Sequence, residues 1–305
     1  MGIVGFVKRH IPNAIHTKIF RIATKLNMLS APMKSFLSIP IRKKHDKLSF
    51  EVHLTEHCNL NCCSCSHFSP LAEAEYLDTE EFRRDAQRLG SLFGHECGCI
   101  DLLGGEPLLH PEIITFMKIA RENFTKGRIR VVTNGILLTK MSADFWRACH
   151  DYNIGISVTH YPIKLDEEKI KSLAKEYEID FEWFVSNAVK TFFYLKPIDL
   201  SGSGDYRKNF AGCVWSNRCI QLSHGRLYTC MFIPYVRHFN KKFSQNIEVT
   251  DKDSVDIYEE GISGDDILQR LAEPVPVCRF CNISDVHGSV KWHVSERKIE
   301  EWTGN

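Results

Sequence analysis

The chain has 305 residues, 43% of them hydrophobic and 25% charged, with a formal net charge of +1 at pH 7; this is the make-up of a soluble globular protein long enough for about two domains. No stretch approaches the roughly 18 apolar residues of a membrane span, and no charged start leads into an apolar secretory core. Twelve cysteines in such a chain point to a reducing compartment and to metal ligands in preference to disulfides, so the expected address is cytoplasmic and no nucleic-acid partner is expected.

The charge is uneven. Residues 1–47 carry ten Lys/Arg against the single acid Asp46, a charge of +9, which leaves −8 on the rest. Within 3–29, Ile11, Ile15, Ile19, Ile22, Ala23 and Leu26 recur at helical spacing, with Lys18, Arg21 and Lys25 elsewhere on the same helix. Such a basic amphipathic helix either packs on the body or lies on an anionic membrane, so peripheral contact with the inner membrane face through residues 1–47 is one expectation. Residues 30–47, with Pro32 and Pro40, read as a linker.

From Phe50 onward strand, loop and helix alternate. Phe50, Val52 and Leu54 share one side of a strand over 50–54, which runs into a loop holding Cys58, Cys62, Cys63 and Cys65. A helix over 79–93 follows, with Asp78 and Glu81 at capping-box spacing and Phe82, Ala86, Leu89 and Phe93 as its inner stripe. Next come a strand near 99–103, a helix over 112–124 opened by Pro111, and a strand at 129–133. A helix at 142–150 with Ser142 as N-cap, a strand at 154–158 and a helix at 166–177 capped by Asp166 continue the pattern. Further strands are expected near 179–185 and 191–196. This alternation means βαβ units on a parallel sheet, open or closed into a barrel.

After residue 197 the rhythm breaks. Ser201-Gly202-Ser203-Gly204 reads as a crossing between domains. A hairpin is expected with strands at 219–223 and 226–231, turning at His224-Gly225. A helix near 265–272 stops before Pro274, and the charged tail over 291–302 reads as a helix docked on the body.

Two cysteine sets carry the chemistry. Cys58, Cys62 and Cys65 stand at C-x3-C-x2-C on one loop. Three thiolates hold three corners of a cubic iron–sulfur cluster and leave the fourth iron open to a ligand. The blander alternative is structural zinc, with Cys63, His57 or His67 as fourth ligand. The rest of the rim favours the cluster. Gly104-Gly105-Glu106-Pro107, Thr133-Asn134-Gly135 and residues 157–160 each fall where a strand ends, and sites form at the carboxyl ends of strands in parallel α/β folds. The glycines admit a small ligand close to backbone, and a carboxylate beside them suits an ammonium group. In the second set, Cys213, Cys219, Cys230, Cys278 and Cys281 offer a C-x2-C and distant partners, which suit zinc or iron equally.

The C-x3-C-x2-C loop after the first strand, followed by Gly-Gly-Glu-Pro after the second, resembles the radical S-adenosylmethionine (SAM) enzymes over roughly residues 48–200. The resemblance implies a partial (β/α) barrel in which a [4Fe–4S] cluster binds SAM, cleaves it reductively to a 5′-deoxyadenosyl radical and so abstracts hydrogen from a substrate. It implies Cys58, Cys62 and Cys65 as cluster ligands, with Gly104, Gly105 and Glu106 on the methionine amino group. Ser157 would lie near the ribose and carboxylate, and Thr133 and Asn134 are further cofactor candidates. Ser64 stands where the family usually has an aromatic residue, so any contact to adenine there is through backbone, and stacking must come from elsewhere, as from Phe68.

Cys213, Gly225, Cys230 and the pair Cys278 and Cys281 resemble the auxiliary-cluster domain called twitch, related to SPASM. This implies a small C-terminal α+β domain with a second [4Fe–4S] cluster on Cys213, Cys230, Cys278 and Cys281. Cys219 is then spare, or stands in for Cys213, or acts as the hydrogen donor of an epimerase. The implied division is a basic extension 1–47, a radical SAM core 48–200, an auxiliary-cluster domain 201–290 and a tail helix 291–305. The implied activity is oxidoreductase-type, on a small-molecule or sugar-like substrate, with a flavodoxin or ferredoxin as electron donor. The alternatives are a maturase acting on a ribosomal peptide, and a non-enzymatic iron–sulfur or zinc protein that carries electrons or scaffolds a partner.

Overall fold

The first strand, β1 (Phe50–Thr55), points Phe50, Val52 and Leu54 into the main core, as the period-2 pattern requires. The computed structural model describes residues 47–184, 189–193, 197–283 and 290–304. The helix expected over 3–29 and the basic extension up to residue 46 lie outside them, as do the last residues of the strands expected near 179–185 and 191–196.

Four βα units follow one another. Helix α1 (Thr79–Leu92) starts where the Asp78 carboxylate accepts from Glu81 N at 2.8 Å, and it buries Phe82, Ala86 and Leu89. It leads to β2 (Glu96–Gly104), α2 (Ile113–Asn123) and β3 (Lys126–Thr133). The hydroxyl of Ser142 caps α3 (Ala143–Asp151), which precedes β4 (Gly155–Val158). Asp166 caps α4 (Glu167–Glu176), which precedes β5 (Phe181–Trp183). The two longest apolar stripes meet in the core, where Phe82 of α1 lies 5.4 Å from Phe116 of α2, ring centre to ring centre.

Strands β1 to β5 pair in parallel in the order β5-β4-β3-β2-β1, the sheet of a partial β/α barrel. The expected hairpin is present as β7 (Gln221–Ser223) and β8 (Arg226–Tyr228), with His224 and Gly225 at φ 50° and 68°, the left-handed pair of a type I′ turn. The hairpin also continues the barrel sheet. β7 pairs in parallel with the free edge of β1, Glu51 opposite Gln221 and Val52 opposite Leu222, and β9 (Val255–Asp256) closes the far edge antiparallel to β8. Ile220, Leu222, Leu227 and Val255 accordingly belong to the same core as Phe50 and Val52.

Past the crossing at 201–204 stand α5 (Tyr206–Gly212), α6 (Phe232–Phe243) and α7 (Gly264–Leu271). Helix α6 was not expected, because Phe232, Ile233, Tyr235 and Val236 look like a strand and Pro234 like a break. Pro234 falls in the first turn, where a missing N–H leaves nothing unpaired. Phe68, Phe232, Tyr235, Phe239 and Trp302 gather in a second core around this helix.

The tail also differs from a helix over 291–305. Its first part is strand β10 (Val290–Lys291), antiparallel to β6 (Phe192–Phe193), and only α8 (Glu300–Thr303) is helical. Between them the backbone is drawn out along the cysteine loop: Cys63 N donates to His293 O at 3.0 Å and Ser295 N to Asn61 O at 2.8 Å. No helix among the described residues is long and apolar enough to cross a membrane.

Candidate functional site

The loop after β1 turns tightly enough to bring three thiols onto one wall. Asn61, Ser64 and Phe68 all sit at positive φ, 51°, 52° and 56°, each an arrangement that costs a non-glycine residue about 1 kcal/mol or more. The surroundings offset that cost. Phe68 packs on Phe232, Phe239 and Trp302 with ring centres about 6 Å apart, and the Trp302 indole N–H donates to Cys65 O at 2.9 Å. Ser64 is buried in this turn and does not face the cavity described below.

The glycines are where β2 runs against the loop. A Cβ on Gly104, at φ 144°, would meet Thr55 O at 2.2 Å, and one on Gly105 would meet His57 O at 2.0 Å. Only glycine lets these two strand ends lie so close. Glu106 then turns inward and is fully buried. Its carboxylate accepts from Thr133 Oγ1 at 2.6 Å, Asn134 N at 2.9 Å and Leu108 N at 3.2 Å, so it ties the end of β2 to the end of β3. Burial pushes its carboxyl up to about 7, against the pull of those donors. Asn134, so placed, donates its amide to Asn59 Oδ1 at 2.7 Å and to Cys58 Sγ at 3.7 Å.

These residues open on a cavity of about 260 Å³ lined by Cys58, Cys62, Cys65, Gly104, Gly105, Thr133 and Asn134. Burial is the first cause that lifts the Cys58 and Cys62 thiols to about 12, and the neighbouring thiols add to it. Glu106 stands behind this wall, and Ser157, fully buried, is the register partner of Glu182 on the next strand; neither lines the cavity.

The same cavity reaches a charged row that the apolar alternation had hidden. Gln221, Glu51, Asp101 and Arg130 are register partners across β7, β1, β2 and β3. The last three line the cavity with Cys219. Glu51 lies four residues below the end of β1, about 13 Å down the strand. Arg130 grips Asp101 with two bonds of 2.7 and 2.6 Å and reaches Glu182 at 2.6 Å. Among the described residues no cation bonds Glu51; it accepts from Gln221 Nε2 at 2.5 Å, and burial raises its carboxyl to about 7. The signal that could have found this row is charge on the inward side of strands whose other side is apolar, unusual in a sheet buried on both faces.

Of the histidines, His67 lines the cavity, with its Nδ1 2.6 Å from His53 Nε2. His53 stacks on Tyr235 of α6 at 3.5 Å, and Glu56 lies between His53 and His238. Burial holds both His53 and His67 below the usual imidazole range. His110 does something simpler: it bonds Leu77 O and accepts from Glu112 N, both at 3.0 Å, and so fixes the turn after Glu106.

Cys213, Cys230, Cys278 and Cys281 converge on one recess, lined otherwise by Asn209, Ser216, Phe232, Ile233, Val277 and Ile283. Cys219 is absent from this lining and belongs to the larger cavity. Among the described residues no group of His, Cys, Asp or Glu side chains is gathered as the ligands of a single metal ion are; both thiol sets face a recess. Three sulfurs around one cavity suit a cluster with one free corner, and four converging on one recess suit one without.

The family described as Radical SAM superfamily matches residues 52–188. Its members are enzymes that use a [4Fe–4S] cluster and SAM. Molybdenum cofactor biosynthesis protein 1 of Bos taurus is 33% identical over 123 residues, 39% of this chain and 18% of that protein. GTP 3′,8-cyclase of Chlorobaculum tepidum is 29% identical over 124 residues, 41% of this chain and 35% of that one. The chain thus spans under a fifth of the first curated relative and about a third of the second. Among solved structures, BtrN in complex with AdoMet and 2-DOIA aligns at 19% identity over 78% of this chain and 94% of that one, TM-score 0.48. Native anSMEcpe with bound AdoMet aligns at 14% over 76% and 82%, TM-score 0.46.

Proposed function

Because residues 52–188 of this chain belong to the radical SAM superfamily, we propose that the protein oxidises or epimerises a small, polar, sugar-like molecule after abstracting a hydrogen atom from it. In this reading Cys58, Cys62 and Cys65 hold the cluster that binds SAM, and Cys213, Cys230, Cys278 and Cys281 hold a second [4Fe–4S] cluster. The first cluster, when reduced, supplies the electron that cleaves SAM to a carbon radical. Every other task falls to the protein. Gly104, Gly105, Thr133 and Asn134 bound the cofactor side of the cavity, while Glu106 fixes their backbone from behind.

The observation that carries the substrate class is the row of Glu51, Asp101 and Arg130 lining the cavity that also holds the three cysteines. Carboxylates and a guanidinium at that depth suit several hydroxyl or amino groups better than an apolar chain. The test is anaerobic reconstitution, reduction with dithionite and assay for 5′-deoxyadenosine. Wild-type protein is expected to form it and a Cys62→Ala variant not to; no product from a fully loaded wild type would refute the reading and favour an electron carrier or scaffold.

Of the two outcomes, epimerisation is the one favoured by Cys219. It lines the same cavity as Glu51, whose charge acts on its thiol. The S–H bond would break homolytically to deliver hydrogen to the substrate carbon. The sulfur radical left behind then needs one electron, from an external iron–sulfur or flavin donor, and one proton, which Glu51 is placed to pass on. Solvent deuterium in the product would support this role, and its absence would leave oxidation.

A further inference from the structure

Among the described residues, the shortest hydrogen bond to a sulfur of the Cys58, Cys62 and Cys65 set comes from the far end of the chain. The indole N–H of Trp292 donates to Cys62 Sγ at 3.1 Å. Cys58 Sγ receives Leu60 N at 3.4 Å and Asn134 Nδ2 at 3.7 Å, both longer. The indole is held on several sides. Trp292 N donates to Thr191 O at 2.8 Å, Cys63 N to His293 O at 3.0 Å, and Cys62 and Val294 form an antiparallel bridge. The ring packs on Leu60, Cys62 and Phe193, and its centre lies 6.5 Å from that of Tyr161. A donor fixed by backbone on both flanks loses little freedom when it meets its acceptor.

From this geometry we infer that Trp292 is a positioning residue for the SAM-binding cluster: its N–H sets the charge on the Cys62 sulfur and raises the reduction potential of the cluster. The inference rests on Cys62 being a ligand of that cluster. Reduction adds an electron that spreads over the ligand sulfurs, and a donor aimed at one of them stabilises the more negative state more than the oxidised one. The segment that supplies it, 290–302, also holds the loop backbone, so the tail is part of the cluster's seat.

The test is an EPR-monitored redox titration of the reconstituted full chain, following the signal that changes when SAM is added. Two variants are compared with wild type: Trp292→Phe, and a chain with benzothienylalanine at position 292, which keeps the indole shape but replaces N–H by sulfur. Both are expected to lower the midpoint so that the ratio of reduced to oxidised cluster at a fixed potential falls about tenfold, about 59 mV for one electron. A midpoint equal to wild type in the benzothienyl chain would overturn the inference and reduce Trp292 to packing, even if the Phe variant had lost iron. A wild-type chain with no SAM-responsive signal would overturn the reading of the site itself, a result distinct from an unchanged midpoint.

Discussion

Glu106→Gln separates the two things this carboxylate does, tying strand ends and carrying a buried titratable group. The side chain is fully buried, and burial raises its carboxyl from an ordinary 4.5 to about 7. In the fold it therefore keeps a proton up to about pH 7, while in the unfolded chain it loses it near 4.5. Between those values the native state binds more protons, so stability falls as pH rises. The stability is fully present below the unfolded value and is gone once pH passes the folded one. A shift of that size corresponds to about 3 kcal/mol.

Glutamine has no proton to lose and should lack this slope. It brings its own cost, because its NH2 must face either Asn134 N or the Leu108 N and Thr133 Oγ1 pair, leaving about one buried donor unmet, about 1–3 kcal/mol. The expected outcome is a variant weaker than wild type near pH 5 and level with it or stronger near pH 8, the difference moving by about 3 kcal/mol. Anaerobic urea unfolding of both chains across this range, followed by tryptophan fluorescence, measures it; cluster loss is common to both and cancels in the difference. Parallel pH dependences would refute the reasoning, since they would mean that the three donors keep Glu106 ionised throughout.

Cys230→Ser should leave one cluster of two, so iron per chain falls from about eight to about four while 5′-deoxyadenosine is still formed; iron assay beside product assay checks it, and full loss of product would contradict two independent seats. Arg130→Met should cost about 3 kcal/mol in urea unfolding, because Asp101 loses both bonds to its cation, while Glu182 keeps Arg128 at 3.0 Å. Arg130→Lys should recover only part of this, since an ammonium cannot reproduce the two-pronged grip on Asp101. A Cys219→Ala chain should keep SAM cleavage in the presence of substrate and lose solvent deuterium from any epimerised product.

What could be read in the residues follows how local each signal is. The barrel half announces itself through features within a few positions: Asp78, Ser142 and Asp166 as caps, apolar stripes at helical spacing, and His224-Gly225 at the hairpin. Each of these has its expected local structure. The turns carrying Gly104-Gly105 and Thr133-Asn134 were legible as strand ends, and Cys58, Cys62 and Cys65 share a cavity wall with them. The carboxylate of Glu106, expected on a ligand's ammonium group, is bonded to Thr133 Oγ1 and Asn134 N, a tie between strand ends that no local spacing encodes. The inward row of Glu51, Asp101 and Arg130 was missed by attending only to the apolar side of each strand. The extended tail was missed for a different reason. The partners of His293 O and of the Ser295 N–H lie more than 200 residues earlier in the chain, and no spacing within residues 290–302 encodes them.

The pairing of β1 with β7 links the two thiol sets more tightly than a domain division at residue 200 would suggest. The loop that holds Cys58, Cys62 and Cys65 leaves the end of β1, while β7 is preceded by Cys213 and Cys219 and followed, after β8, by Cys230. One register, Glu51 opposite Gln221 and Val52 opposite Leu222, therefore spaces both sets. A slip of one residue would turn Leu222 out of the core and take Gln221 away from Glu51, so the buried face pins the register strongly. Cys219 and Met231, each close in sequence to a member of the second set, both line the cavity of the first, and the Cys219 thiol feels the charges of Cys213 and Cys230. A substrate held by Glu51 and Asp101, as proposed above, would therefore sit in a cavity whose lining is drawn from the neighbourhoods of both sets.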